Sequence, residues 1–143
     1  MLLTLHARIG RWLQTGGHVE DGDASFSAAA LREATEESGL TGLQLSGPPL
    51  LLSRHEVGCG GLPTLHLDVQ YLVLAPVAAP PAVSAESEDV AWFPWRQLPD
   101  VDASVQDLVA AAARRLGWSP ELDRQHEPSA QPVAGAAQAR PAG

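Results

Sequence analysis

The chain has 143 residues, 45% of them hydrophobic, which is the size of one ordinary globular domain and leaves no room for a second. Removing the 23 alanines leaves 41 larger apolar residues, 20 of them Leu, a core for roughly 100 to 115 residues, so part of the chain is expected to lie outside it. Nine Arg and no Lys face 17 acidic residues for a net charge of −8, which excludes sequence-independent binding to a nucleic-acid strand and repels polyanions unless Arg clusters or bound divalent cations invert the field locally.

At the start, Leu2-Leu3-Thr4-Leu5-His6 is a short apolar run, closed by Gly10 and followed by Trp12-Leu13, and reads as a strand and a turn. It is too short for a signal sequence and is followed by Arg8 and Arg11. No stretch reaches the roughly 18 apolar residues of a membrane span. With Cys59 as the single cysteine, a disulfide framework is excluded and a reducing compartment is expected, so the reading is cytoplasmic. Next, Gly16-Gly17-His18-Val19-Glu20-Asp21-Gly22-Asp23 carries three glycines and forms a sharply bent loop that exposes backbone.

From Ser25 to Ser38 strong helix formers predominate, with Asp23 or Ser25 as N-cap and Gly39 as the stop. Strands are expected at Leu50–Leu52, at Leu65–Leu74 with the alternation His66, Asp68, Gln70, and at Val90–Phe93. Pro76–Pro81 is a surface loop, and Ser104–Leu116 a second helix. After Trp118 the composition turns to Pro, Ala, Gln and Gly with few large apolar residues, which predicts a disordered tail over 119–143, with folding on binding as the alternative.

On the first helix, at about 100° per residue, Glu33, Glu36 and Glu37 fall within an arc of about 100°. Ala28, Leu31, Thr35 and Ser38 fall on the other side and are expected to pack on the sheet. Like charges at these spacings repel. Hard divalent ions take oxygen ligands and keep several waters, so such a face beside loop carbonyls suits Mg²⁺. Clustered Glu also commonly marks a solvated face, and charge alone does not decide between the two.

The spacing Gly17-x5-Asp23-x8-Arg32-Glu33-Ala34-x-Glu36-Glu37-x-Gly39-Leu40 closely resembles the signature of the Nudix hydrolases, G-x5-E-x7-R-E-U-x-E-E-x-G-U with U aliphatic. The flanking Trp12-Leu13-x-x-Gly16-Gly17 and Asp89-Val90-Ala91-Trp92-Phe93-Pro94 also look like segments of that family. Two departures lie in the loop: Asp23 stands where the family has Glu, and one extra residue precedes Arg32. Only 16 residues precede Gly17, so the family's N-terminal strand is expected to be missing, through a misplaced start, a fragment, or a short form that dimerises.

The resemblance implies an α/β fold, a Nudix-type α/β/α sandwich with a mixed sheet over residues 1–118. It implies a metal site for Mg²⁺ or Mn²⁺ at Glu33, Glu36 and Glu37, with the Gly16 carbonyl as a further ligand, Arg32 orienting carboxylates, and Glu37 as the leading catalytic residue. The reaction implied is hydrolysis of a diphosphate linkage in a nucleoside diphosphate derivative, with a small nucleotide-type substrate as partner. A catalytically silent module that binds a nucleotide or a protein is the rival reading.

Outside the box, His18 abuts the glycine loop and is a candidate phosphate contact, with a plain polar turn residue as the alternative. Arg54 is the candidate phosphate-facing Arg, and Glu86 or Glu88 a candidate general base over the cleft, each weighed against a surface role. His55, Cys59, His66 and Asp68 lack the paired spacing of a zinc site and read as substrate-loop or surface residues. Trp12, Trp92, Phe93 and Trp95 are expected to pack rather than stack on a base.

Overall fold

The computed structural model describes residues 1–59, 62–77, 79–84 and 87–118. The expected tail, 119–143, lies outside the described residues. The apolar start forms β1 (Leu2–His6), which turns at Gly10 into β2 (Arg11–Leu13), with the Gly10 amide donating to the His6 carbonyl at 2.9 Å. β7 (Ser87–Trp92) pairs on the other side of β1, giving the order β2-β1-β7 with Leu5 opposite Trp12 and Leu3 opposite Ala91.

β1 alternates as a strand between two layers should. Met1 and Leu3 join the core cluster of Val101, Val105 and Val109, while Leu2, Thr4 and His6 line a cavity shared with Ala29, Glu33 and Ala34 of the first helix. Leu3 and Val105 are fully buried, each worth about 1.5–3 kcal/mol of apolar burial. The second helix reaches the same cavity through Leu108, Val109 and Ala112, and helices and strands together give the mixed α/β fold expected. Trp12 packs edge-on to Phe93 at 4.9 Å, and Trp95 joins the same cluster, so these aromatics pack, as expected of them.

Helix α1 (Phe26–Ser38) matches its expected span. Ser25 is the N-cap, its hydroxyl accepting from the Ala28 amide at 3.1 Å, so of the two expected caps Asp23 is freed for other work. Gly39 closes the helix with φ 65°, its amide donating a hydrogen bond to the Thr35 carbonyl at 2.8 Å. The buried residues are Ala29, Ala34 and Ser38. The expected packing face is corrected accordingly: Ala28, Leu31 and Thr35 are only half-buried, because small alanines on the glutamate side let that side approach the sheet. Helix α2 (Ala103–Arg115) packs on β1 through Val105 and Val109. Its last residue, Arg115, donates to the carbonyls of Ser46, Pro48 and Pro49.

The remaining strands are β3 (Gln44–Leu45), β4 (Leu51–Cys59), β5 (Leu62–Gln70) and β6 (Val73–Leu74). β3 pairs with β6, and β4 with β5. The expected single strand from Leu65 to Leu74 is thus two strands, broken at Tyr71-Leu72, and the expected strand at Leu50–Leu52 runs on through Ser53-Arg54-His55-Glu56. Every described pair is antiparallel, in three separate sheets rather than one mixed sheet. A parallel pair needs a crossover between neighbouring strands; α1 joins strands of different sheets and α2 follows the last strand, so neither helix is one.

The β4–β5 hairpin is open to solvent on both faces. Register puts Leu52, Arg54 and Glu56 on the same face as Val69, Leu67 and Leu65, and puts Ser53 and His55 with Asp68 and His66 on the other. A half-buried antiparallel strand ordinarily turns its apolar side inward. Here neither side is sealed: Leu52 and Leu67 are 73% and 74% exposed and Ser53 and His55 are exposed too, while His66, Asp68 and Val69 are half-buried and Leu65 and Leu67 line the cavity beside them.

Candidate active site

The glycine loop and α1 meet at the mouth of a cavity of about 800 Å³ whose lining includes Gly16, Gly17, His18, Glu33, Glu37 and His66. The approach is close: a Cβ on Gly17 would lie 2.3 Å from Glu33 Oε1, so any larger residue there would displace the Glu33 carboxylate. Beside it, the Gly16 amide donates to Glu37 Oε2 at 3.2 Å. Two carboxylates one helical turn apart are thereby brought against the same two residues of backbone.

Arg32 holds this acidic region together. Its Nε and Nη2 donate to the two oxygens of Asp23 at 3.2 and 3.0 Å, a fork-to-fork pair. Nη1 donates to Glu33 Oε1 at 3.0 Å and to Glu36 Oε2 at 3.1 Å, and Nη2 also donates to the His18 carbonyl at 3.0 Å. Asp23 is closed into the loop by the Glu20 amide, which donates to its Oδ2 at 2.8 Å. The two departures in the loop thus meet the same need: one further residue and a shorter side chain still deliver both oxygens to the guanidinium.

These bonds set the ionisation. The Arg32 guanidinium, donating to Asp23, holds that carboxyl below its ordinary 3.8, and the Glu20 amide adds to the effect. The same carboxylate, with Glu33, pushes the Arg32 pKa up and keeps it charged at any working pH. A group whose pKa is lowered by folding stabilises the fold above its unfolded value and loses that contribution as pH falls through the folded one. The Asp23 contribution is therefore complete at neutral pH and shrinks progressively once pH falls below the ordinary carboxylate value, towards the lowered folded one. Asp23→Asn is expected to lower the unfolding temperature at pH 7, by an amount that narrows as the pH is taken below about 4. Parallel curves at all pH values in a thermal melt series would contradict this.

Not all expected site residues converge. Glu33 and Glu37 line the cavity, whereas the Glu36 side chain is 59% exposed and turned to Arg32. Arg54 is exposed, pairs with Leu67 on the hairpin and does not line the cavity. Glu88 is exposed on β7 and does not line the cavity. Glu86 lies outside the described residues.

One face of the hairpin brings together what sequence reading left scattered. His55 Nδ1 lies 3.0 Å from Asp68 Oδ2, and the Ser53 hydroxyl donates to the same oxygen at 2.8 Å. The His66 ring stands edge-on between those of His55 and His18, at 5.7 and 5.4 Å. A run of imidazoles thus reaches from the glycine loop along the far wall. The one signal for it was the alternation of His66 and Asp68 with leucines, which marks a strand face without saying which way it points.

Among the described residues no three His, Cys, Asp or Glu side chains gather closely enough to cage a metal ion by themselves. The donor set instead offers two carboxylates, Glu33 and Glu37, beside the exposed Gly16-Gly17 backbone. That set fits Mg²⁺, which keeps several waters and is bound through one or two carboxylates and substrate phosphates.

A family model described as the NUDIX domain matches residues 1–116. No curated protein matches the chain. Among solved structures, an Ap4A hydrolase from C. elegans, in a binary complex, is 20% identical with a TM-score of 0.61, covering 81% of this chain and 85% of that one. A NUDIX-family hydrolase from Clostridium perfringens is 20% identical with a TM-score of 0.62, covering 81% and 87%. A MutT NUDIX hydrolase from Burkholderia pseudomallei is 23% identical with a TM-score of 0.55, covering 77% and 85%. At these identities the likeness is one of fold.

Proposed function

Because the chain belongs to the NUDIX domain family, we propose that it is a pyrophosphohydrolase that splits a diphosphate linkage in a nucleoside diphosphate derivative with the help of Mg²⁺ or Mn²⁺. The observation that carries this reading is the convergence of Glu33 and Glu37 on the Gly16-Gly17 backbone at a cavity mouth. Glu33, Glu37 and the Gly16 carbonyl hold the ion, with Glu36 and Arg32 next to them. When bound, such an ion offsets charge on the phosphoryl and leaving-group oxygens and makes an attacking water more acidic. Arg32 keeps Glu33 in place and limits the mutual repulsion of the carboxylates, so that the site is formed before substrate arrives.

A cavity of about 800 Å³ is of the size that takes a nucleotide, since small-molecule sites run to roughly 300–1,000 Å³. His18 contacts the phosphate nearest the glycine loop, and the wall of His66, His55 and Asp68 takes the part of the substrate beyond it. The chain has no Lys, and Arg32 is engaged by carboxylates, so the imidazoles are hydrogen-bonding groups this wall offers to a substrate. The similarity to an Ap4A hydrolase and a MutT hydrolase supports nucleoside polyphosphates as the first substrates to try. No described helix is long and apolar enough to cross a membrane; with the single Cys59, a cytoplasmic enzyme is the reading we adopt.

The test is release of phosphate and nucleotide from a panel of nucleoside triphosphates, dinucleoside polyphosphates, ADP-ribose and nucleotide sugars, with and without Mg²⁺. Turnover that requires the ion is the expected result. A folded chain that binds nucleotide without turnover, and without need of the ion, would overturn the hydrolase in favour of a binding module.

A further inference from the structure

We infer that the His55–Asp68 pair is a subsite that reads adjacent hydroxyls on a sugar ring, a specificity element that rests on the proposed action on nucleoside diphosphate derivatives. Both residues line the cavity that Glu33 and Glu37 also line. Across the hairpin Ser53 stands directly opposite Asp68, and His55 opposite His66, so Asp68 meets one partner face to face and the other on the diagonal. The Ser53 hydroxyl and His55 Nδ1 converge on a single oxygen, Asp68 Oδ2, at 2.8 and 3.0 Å. Its other oxygen, Oδ1, makes no hydrogen bond among the described residues. The Asp68 side chain is 31% exposed, enough for a ligand to reach that oxygen.

The chemistry of the pair selects its ligand. A carboxylate only accepts, so the His55 proton that faces Asp68 sits on Nδ1 and Nε2 is turned away from it. Nε2 accepts when the ring is neutral and donates when it is charged. A hydroxyl does both, and so pairs with Nε2 in either state, while a neighbouring hydroxyl donates to Oδ1. An ionised phosphate oxygen has no proton to give to Oδ1 and is repelled by the carboxylate. No Arg or Lys stands among the described residues that line the cavity, and Glu33 and Glu37 add negative charge to it. The phosphates therefore belong with the ion and the glycine loop, and the Asp68 wall takes an uncharged part rich in donors. Two sources supply adjacent hydroxyls: the ribose of the nucleoside itself, or a sugar on the far side of the diphosphate.

Calorimetric titration of the full chain in Mg²⁺ separates them, using analogues in which carbon replaces the bridging oxygen of the diphosphate and blocks hydrolysis. The set is a nucleoside diphosphate, its 2′-deoxy form and its conjugates with ribose and with glucose, each with adenine, guanine or uracil as the base. Hydroxyls from the nucleoside predict that the 2′-deoxy form binds at least about 10-fold more weakly than the ribo form, the scale of one hydrogen bond to a charged group. Hydroxyls from beyond the diphosphate predict equal binding of those two and at least about 10-fold tighter binding of a conjugate. In either case Asp68→Ala should erase the preference, and His55→Ala, at an exposed residue, should shrink it. A general loosening of the hairpin would weaken every ligand alike and leave the ratios between them unchanged. No preference in the wild type, or a preference that survives both substitutions, overturns the subsite and leaves the hydrolase standing. No binding of any member of the set overturns the substrate class itself, and the subsite with it.

Discussion

Replacing Glu37 by Gln is expected to cut metal-dependent turnover by at least about 10²-fold, the scale of losing one preorganised electrostatic group in an active site. The substitution keeps the shape and the bond from the Gly16 amide, since an amide oxygen accepts as a carboxylate oxygen does. What goes is the charge, half of the two-carboxylate set that faces the glycine backbone. Glu33 and Glu37 repel each other at this spacing, so the variant should unfold at no lower a temperature than the wild type. Steady-state kinetics and a thermal melt in the same buffer check both halves. Full activity in Glu37→Gln would remove the assignment of the site, and a large loss of stability would show that the side chain is structural.

Arg32→Lys should have the second-largest effect, and on both activity and stability. Lysine keeps the positive charge but presents a point charge on a flexible stem, unable to grip Asp23 with two parallel bonds while reaching Glu33, Glu36 and the His18 carbonyl. Glu33 then loses the partner that orients it, and the loop carrying Gly16 and Gly17 loses its tie to the helix. Turnover is expected to fall by about 10- to 100-fold, as is usual when a group supporting a metal ligand is removed. The unfolding temperature should fall too, and by less in saturating Mg²⁺, which supplies positive charge to the same carboxylates and binds the folded state alone. Equal falls with and without Mg²⁺ would place the ion elsewhere.

The carboxylate side of the candidate site is legible in the sequence because its geometry is local. Gly17, Arg32, Glu33 and Glu37 lie within one loop and one helix, where spacing along the chain translates directly into position, and the helix from Phe26 to Ser38 could be bounded from its alanines, Ser25 and Gly39. Its buried side was less legible: small Ala29 and Ala34 pack closest to the sheet, and alanines carry little signal against the larger Leu31. The far wall was not legible at all. Ser53-Arg54-His55-Glu56 has no strand-forming bias of its own and becomes a strand because β5 offers it a partner. The period of two in β5 is plain in the sequence, yet only tertiary contacts decide what meets the cleft, and Leu65 and Leu67 line the cavity alongside His66 and Asp68.

That division has an energetic counterpart. Among the described residues β4 and β5 pair as strands only with each other, whereas β1 is paired along both edges and sealed by Leu3. A two-stranded ribbon standing largely alone is marginally stable in water. The hairpin therefore forms a cooperative unit of its own that opens at a lower free energy than the central sheet, and the two walls of the cleft differ in rank. The carboxylate wall is tied to global unfolding, while the imidazole wall can part from it and re-form many times in the lifetime of a single folded molecule.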